Sequence, residues 1–223
     1  MNKNYLISKL EAVAPLELQE AWDCCGWVVE HSEKSDVQKI MFALTVTEQV
    51  YEQAKRQGCD LIVAHHPLFA VPLKFKGVQI YCAHTNLDKA QGGTTDTVLE
   101  VLGLKSSRIE NEFVRIVELE EAVSVEDFAD KLRKISPNLR YVNNLNVEKL
   151  KIIAFCAGSG SEFISQTEAD AFVTGDLKYH AACEADKVIY DIGHFESEIL
   201  IKEKIQQILG IEGVMADEKS PFI

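Results

Sequence analysis

Four of the six histidines fall in three short clusters, each following an apolar run, with carboxylates nearby in two of them. The first is Ala64-His65-His66-Pro67-Leu68-Phe69. The second is His84-Thr85-Asn86-Leu87-Asp88. The third is Tyr190-Asp191-Ile192-Gly193-His194-Phe195-Glu196-Ser197-Glu198. Adjacent histidines at a strand end can both enter one cleft if the chain turns, as Pro67 encourages. The alternative is a pair of partly exposed histidines. In the second cluster an imidazole and a carboxylate four residues apart suit a metal site and its supporting hydrogen bonds. The alternative is that Asn86 or Asp88 caps a helix, although Gly92-Gly93-Thr94-Thr95-Asp96 offers a cap for the helix expected over Thr97 to Leu102. His194 and Glu198, at i and i+4, lie on one face of a helical turn and can share a cation or form a solvated polar pair. His31 sits in a charged stretch and reads as surface.

Taken together, the clusters supply imidazole and carboxylate but no thiolate, a donor set for Zn, Fe, Mn, Co or Ni and unlike a Cys-rich structural zinc site. Two or three such ligands per ion, with positions left for water, is a catalytic pattern.

The elements that must position these residues show a repeated design. Lys39–Leu44 reads as a buried strand, Thr47 to Gln57 as a helix capped by Thr47 and stopped at Gly58, and Asp60–Ala64 as a second strand. Lys151–Cys156, a turn at Gly158-Ser159-Gly160-Ser161, a helical segment over Glu162 to Glu168 and a strand at Asp170–Thr174 repeat the order. Continuous apolar strands around a helix belong to sheets covered on both faces. Each second strand ends in a histidine-bearing loop, His65-His66-Pro67 and Gly175 to His180, at the carboxyl edge where α/β sheets gather ligands. The glycine turn lacks both the P-loop lysine and the GxGxxG spacing, so a tight turn outranks a phosphate cradle. Phe113 to Leu119 alternates like an edge or half-exposed strand, and Ser124 caps a helix over Val125 to Lys134 with Asp127 at its third position. The reading is an α/β chain of two similar lobes, with boundaries near 1–108 plus 185–223 for the first lobe, which carries most of the metal ligands, and 109–184 for the second.

Composition bounds the rest. The 223 residues carry a formal net charge of −12, and no basic stripe appears. General nucleic-acid binding is therefore disfavoured. No apolar run approaches a membrane span, and Met1 to Leu10 lacks a signal core, so a cytoplasmic location is expected. Six cysteines without a CxxC are too sparse for a disulfide scaffold. Cys59, Cys82 and Cys156 border or lie in apolar stretches as small hydrophobes, and the adjacent Cys24-Cys25 pair reads as free thiols because a vicinal bridge is strained.

With these motifs in view, the chain closely resembles the Nif-three-like family, also called the YbgI family or GTP cyclohydrolase I type 2-like proteins. The resemblance runs from Ala14-Pro15-Leu16-Glu17-Leu18 with Trp22-Asp23, through Asp60–Leu68, His84–Asp88, Gly92-Gly93, Gly158-Ser159-Gly160 and Thr174–His180, to Gly193–Glu198. It implies two interlinked, similar α/β lobes with mixed sheets flanked by helices, assembled as a toroidal homohexamer with two divalent metal ions per subunit. The metal ligands it implies are His65, His66, Asp88, His194 and Glu198, with Asp88 and Glu198 bridging. His84 would support the ligands or face substrate, and His84 or His180 would move protons. The implied activity is metal-dependent hydrolysis of a small molecule, with GTP ring opening as the family's named reaction. A non-enzymatic metal-binding scaffold and a nucleotide phosphoesterase are the alternatives. The chain departs from the family at Thr45, where relatives commonly carry Asp, and at Cys24-Cys25, which replaces an Asn-containing sequence. It also has only 16 residues between Pro67 and His84, where relatives commonly carry a helix, and lacks the insertion domain of larger members.

Overall fold

In the computed structural model, which describes residues 1–222, the chain begins with helix α1 (Lys3–Val13), strand β1 (Gly26–Val29), strand β2 (Ile40–Ala43), helix α2 (Glu48–Arg56) and strand β3 (Leu61–Ala64). Strand β4 (Gln79–Cys82) and the short helix α3 (Thr85–Lys89) follow. Next come α4 (Thr94–Val101), β5 (Arg108–Glu110), β6 (Val114–Ser124), α5 (Val125–Leu132), β7 (Arg140–Val142), β8 (Lys149–Phe155) and β9 (Ala171–Thr174). The chain ends through α6 (Tyr179–Cys183), β10 (Val188–Asp191), α7 (His194–Glu198), α8 (Ile201–Leu209) and β11 (Val214–Met215). No helix among the described residues is long and apolar enough to cross a membrane.

Two units emerge. The first comprises Met1–Gly93 and Ile201–Ile223, the second Thr94–Leu200. These limits differ from the expected 1–108 with 185–223, and from 109–184. The cause is strand pairing. β10 is hydrogen-bonded in parallel to β9 and antiparallel to β7, and β5 to β6, which draws 94–108 and 185–200 into the second unit. The third histidine cluster therefore stands on the second unit, not the first.

The first unit's sheet has the order β1-β4-β3-β2-β11. β4, β3, β2 and β11 run parallel, and β1 closes one side antiparallel to β4. β2, β3 and β4 are buried along their whole length, as their continuous apolar sequences require. Thr47 caps α2 through its hydroxyl to the Val50 amide, and Gly58, at a left-handed φ of 70°, ends the turn beyond it. α2 buries Val50, Tyr51 and Ala54 on one core, while α1 and α8 pack together through Leu6, Leu10, Ile205 and Leu209.

The second unit's six-stranded sheet has the order β5-β6-β8-β9-β10-β7, with β8, β9 and β10 parallel. One face is covered by α4 and α5 around Leu99, Phe128 and Tyr190, and on the other Ile116, Phe172 and Ile189 of the strands cluster with Ile164 and Ala185. The connection between β8 and β9 is a 3-10 helix at Ser161–Gln166, shorter than the segment the sequence suggests. Ser124 caps α5 as expected: its Oγ accepts from the Asp127 amide and donates to the Asp127 carboxylate.

β6 is not an edge. It lies between β5 and β8, and its first four residues are all buried. Arg115 made the segment look half-exposed, yet its side chain is wholly buried and its Nε lies 3.1 Å from both Asp96 carboxylate oxygens. Deleting one partner of such a pair strands the other's charge. Arg115→Ala is expected to lower stability by about 3 kcal/mol, read as a fall in the thermal or urea midpoint. A loss below about 0.5 kcal/mol, normal for a surface substitution, would contradict this role.

Candidate metal centre

On the first unit, β3 ends at Ala64 and delivers His65 and His66, and β4 ends at Cys82, just before His84. Parallel pairing sets Ala64 beside Cys82, so both chain ends reach the same sheet edge. The rings follow: His65–His66 and His65–His84 centroids are each 5.2 Å apart, and His66–His84 5.7 Å. Each of the three offers a ligand nitrogen within 4.8 Å of the others'. One ring nitrogen of each is held from outside the cluster. His65 Nδ1 bonds the Ala83 carbonyl at 2.8 Å, His66 Nδ1 the Thr45 hydroxyl at 2.6 Å, and His84 Nδ1 the Asp23 carboxylate at 3.0 Å. Asp88 lies on α3, and its carboxylate is 3.4 Å from His65 Nε2.

Thr45 answers the departure noted in the sequence: its hydroxyl fixes the His66 ring. Thr45 is itself held through its amide, which donates to Glu218, as does the amide of Leu44. Glu218 in turn pairs with the buried Lys202.

Asp23 was visible in the sequence only as part of a motif. In the structure its buried carboxylate accepts from the Thr85 hydroxyl at 2.5 Å and the Thr85 amide at 3.0 Å, from Cys25 Sγ at 3.2 Å, and from the Cys24 amide. Burial works to raise its pKa, but these bonds and the adjacent His84 outweigh it and hold the carboxyl at about 2. Cys24 and Cys25 are free and half-buried, as expected, and burial pushes the Cys25 thiol up to about 11, which keeps it protonated. Cys59, Cys82 and Cys156 are buried. His31 is half-buried rather than solvated, its Nε2 bonded to the Lys76 carbonyl at 2.8 Å.

On the second unit, Gly193 (φ 80°) turns the chain from β10 into α7, which places His194 and Glu198 on one side of a single helical turn. His194 Nε2 lies 2.9 Å from the buried Glu198 carboxylate and Nδ1 2.7 Å from Asp176. The bond to Glu198, with that to Asp176, overrides burial and raises the His194 pKa to about 9. Asp176 escaped sequence reasoning; its one signal is a position straight after Gly175 at a strand end, where it adopts a left-handed φ of 53°. Gly158 has a steric role. A Cβ there would sit 2.1 Å from Glu198 Oε1. The glycine turn is not a phosphate cradle: the Gly158 amide donates to Ser197 Oγ and the Gly160 amide to Thr174 Oγ1. Ser197 Oγ also donates to the His194 carbonyl, tying turn and helix together. His180 is exposed on α6, edge-on to Tyr179, and no hydrogen bond orients its ring among the described residues.

The Asp23 network makes a pH test. A carboxyl held near 2, against about 3.9 in an unfolded chain, contributes stability that is complete above about pH 4 and is lost as pH falls through 2. Asp23→Asn is expected to remove about 2 kcal/mol at neutral pH and to flatten the stability profile between about pH 4 and 2. Urea midpoints across that range check it, and an unchanged profile would contradict it.

Comparison with known proteins places this geometry. The model of the family Duf34/NIF3 (NGG1p interacting factor 3) matches residues 1–218. The GTP cyclohydrolase 1 type 2 homolog of Clostridium perfringens is 34% identical over 261 aligned residues, covering 100% of this chain and 99% of that protein. NIF3-like protein 1 of Drosophila melanogaster is 25% identical, over 80% of this chain and 70% of that one. Among solved structures, a Bacillus cereus protein related to NIF3 superposes with a TM-score of 0.85 at 22% identity, covering 100% and 99%. Reduced HcgD from Methanocaldococcus jannaschii gives 0.85 at 24%, covering 98% of each. At these identities the two structures show the fold.

Proposed function

The chain belongs to the Duf34/NIF3 family, and on that footing we propose that it is a metal-dependent hydrolase whose two divalent ions are held by His65, His66, Asp88, His194 and Glu198. The observation that carries this reading is the His65-His66-His84 cluster: three imidazoles whose ligand nitrogens lie within 4.8 Å of one another. The donors fit: neutral imidazole and carboxylate, without thiolate, suit Zn, Fe, Mn, Co or Ni. Asp88 and Glu198 would supply the carboxylate ligands of this reading. When bound, such ions acidify water and polarise a substrate.

The remaining chemistry belongs to the chain. Asp23 at His84 Nδ1 favours the tautomer with the proton on that nitrogen, which leaves Nε2 to accept a proton and return it. His84 is therefore the proton-moving residue of this reading. His180 lacks an orienting partner, and its place in the reaction is a weaker proposal. Thr45 and Asp176 keep their rings aimed, work that hydrogen-bonded supports of metal-binding histidines perform. The substrate class is a nucleotide, because relatives carry the name GTP cyclohydrolase 1 type 2 homolog. Hydrolytic opening of the guanine five-membered ring consumes water and releases formate. Formate released from GTP by the metal-loaded protein supports the reading. Phosphate release instead would make it a phosphoesterase, and neither product would leave a metal-binding scaffold.

Glu198→Ala separates a ligand from a surface pair. Loss of this carboxylate ligand is expected to remove at least one metal ion per subunit by elemental analysis. The α8 apolar stripe of Ile201, Ile205 and Leu209 is untouched, so the protein should still fold. Two ions retained would take Glu198 out of the site.

Assembly is the second part of the proposal. The chain forms a homohexamer with a small-molecule substrate and no membrane partner. Light scattering is expected to give a species six times the 25.0 kDa chain mass, and a monomer at micromolar concentration would contradict it.

A further inference from the structure

Trp22 and Phe69 are large aromatic side chains left 61% and 67% exposed. They touch each other, with centroids 6.4 Å apart and planes inclined by 35°. Trp22 also meets the His84 ring edge-on at 6.0 Å and 74°. Their bases are fixed. Trp22 precedes Asp23, which the Thr85 hydroxyl and amide anchor, and Phe69 follows the His65-His66-Pro67 turn. Two exposed aromatic faces beside a pinned imidazole do not help this unit fold. They suit a flat, π-rich ligand. Of the lysines on the flanking segments, Lys74 pairs with Glu48 at 2.6 Å and Lys89 with Glu20 at 2.6 Å.

We propose that Trp22 and Phe69 form a stacking subsite that receives the heteroaromatic ring of the substrate and presents it to His84. The assignment rests on the hydrolase reading and adds what that reading leaves open, which part of the substrate is gripped and by what. Trp22 and Phe69 are specificity-determining here, and neither is a metal ligand.

The chain's two tryptophans make the test direct. Trp27 is half-buried against Tyr81 with Lys3 over its ring. Trp27→Phe therefore leaves Trp22 as the sole indole reporter. Metal-loaded Trp27→Phe protein is titrated with guanosine, GTP and ribose 5-phosphate while Trp22 fluorescence is followed. Guanosine and GTP are expected to quench it saturably with affinities of the same order, and ribose 5-phosphate to leave it unchanged. Adding Phe69→Ala should weaken guanosine binding by about ten-fold or more, the scale of one lost base–aromatic stack, with metal content unaltered. Quenching by ribose 5-phosphate alone, unchanged guanosine affinity in the Phe69→Ala protein, or no quenching by any of the three would overturn the proposal. A drop in assembly mass on Phe69→Ala without guanosine quenching would also overturn it and make the pair a contact between copies of the chain. Because the readout needs no turnover, guanosine binding without formate release would leave the subsite standing and remove the hydrolase.

Discussion

A histidine can bind an ion only if its ring is aimed and its proton is on the other nitrogen. That requirement organises what surrounds the candidate centre. On the first unit His65, His66 and His84 are each gripped through Nδ1, by a carbonyl (Ala83), a hydroxyl (Thr45) and a carboxylate (Asp23), and on the second unit the Asp176 carboxylate grips His194 through Nδ1. The carbonyl and carboxylate grips fix tautomer and orientation together, the Thr45 hydroxyl fixes orientation, and ligand basicity rises where the partner is an anion. The fold makes them available by ending parallel strands side by side, so that a residue leaving one strand meets the backbone leaving the next.

The grips are themselves anchored. Thr45 is held by Glu218, which pairs with the buried Lys202. Asp23 is held by Thr85, at the start of the helix that carries Asp88. The Glu198 carboxylate occupies space that only a glycine at 158 leaves open, and Ser197 ties that glycine's amide to the His194 carbonyl. The raised pKa of His194 is the same arrangement seen electrostatically: two carboxylates favour its charged form in the absence of an ion. A divalent cation would take over the work of that proton.

Much of this was legible in the sequence, for a physical reason. Caps and strand ends are local: Thr47 and Ser124 sit where their hydroxyls must meet an amide three residues on, and both do. The histidine clusters stood out because each closes an apolar run. Asp23, Asp176 and Gly158 were visible as letters within motifs but not as parts with a function. Their partners lie 61, 18 and about 40 residues away, distances that no local rule spans. β6 misled because a buried arginine imitates the polar half of an alternating strand, and only the Asp96 partner reveals it as interior. The lobe boundaries shifted because strand pairing, not chain order, assigns β10 to its sheet.

The proposal to be tested is that His65, His66, Asp88, His194 and Glu198 hold two divalent ions. The most direct measurement is a crystal structure of the protein grown with Zn2+, with anomalous scattering recorded on both sides of the zinc edge. The account expects two ions per subunit about 3–4 Å apart, with His65, His66, Asp88, His194 and Glu198 at bonding distances of roughly 2.0–2.2 Å. Ions bound without His194 and Glu198, or His65 and His194 side chains more than about 10 Å apart, a gap that such bonds cannot span, would contradict it.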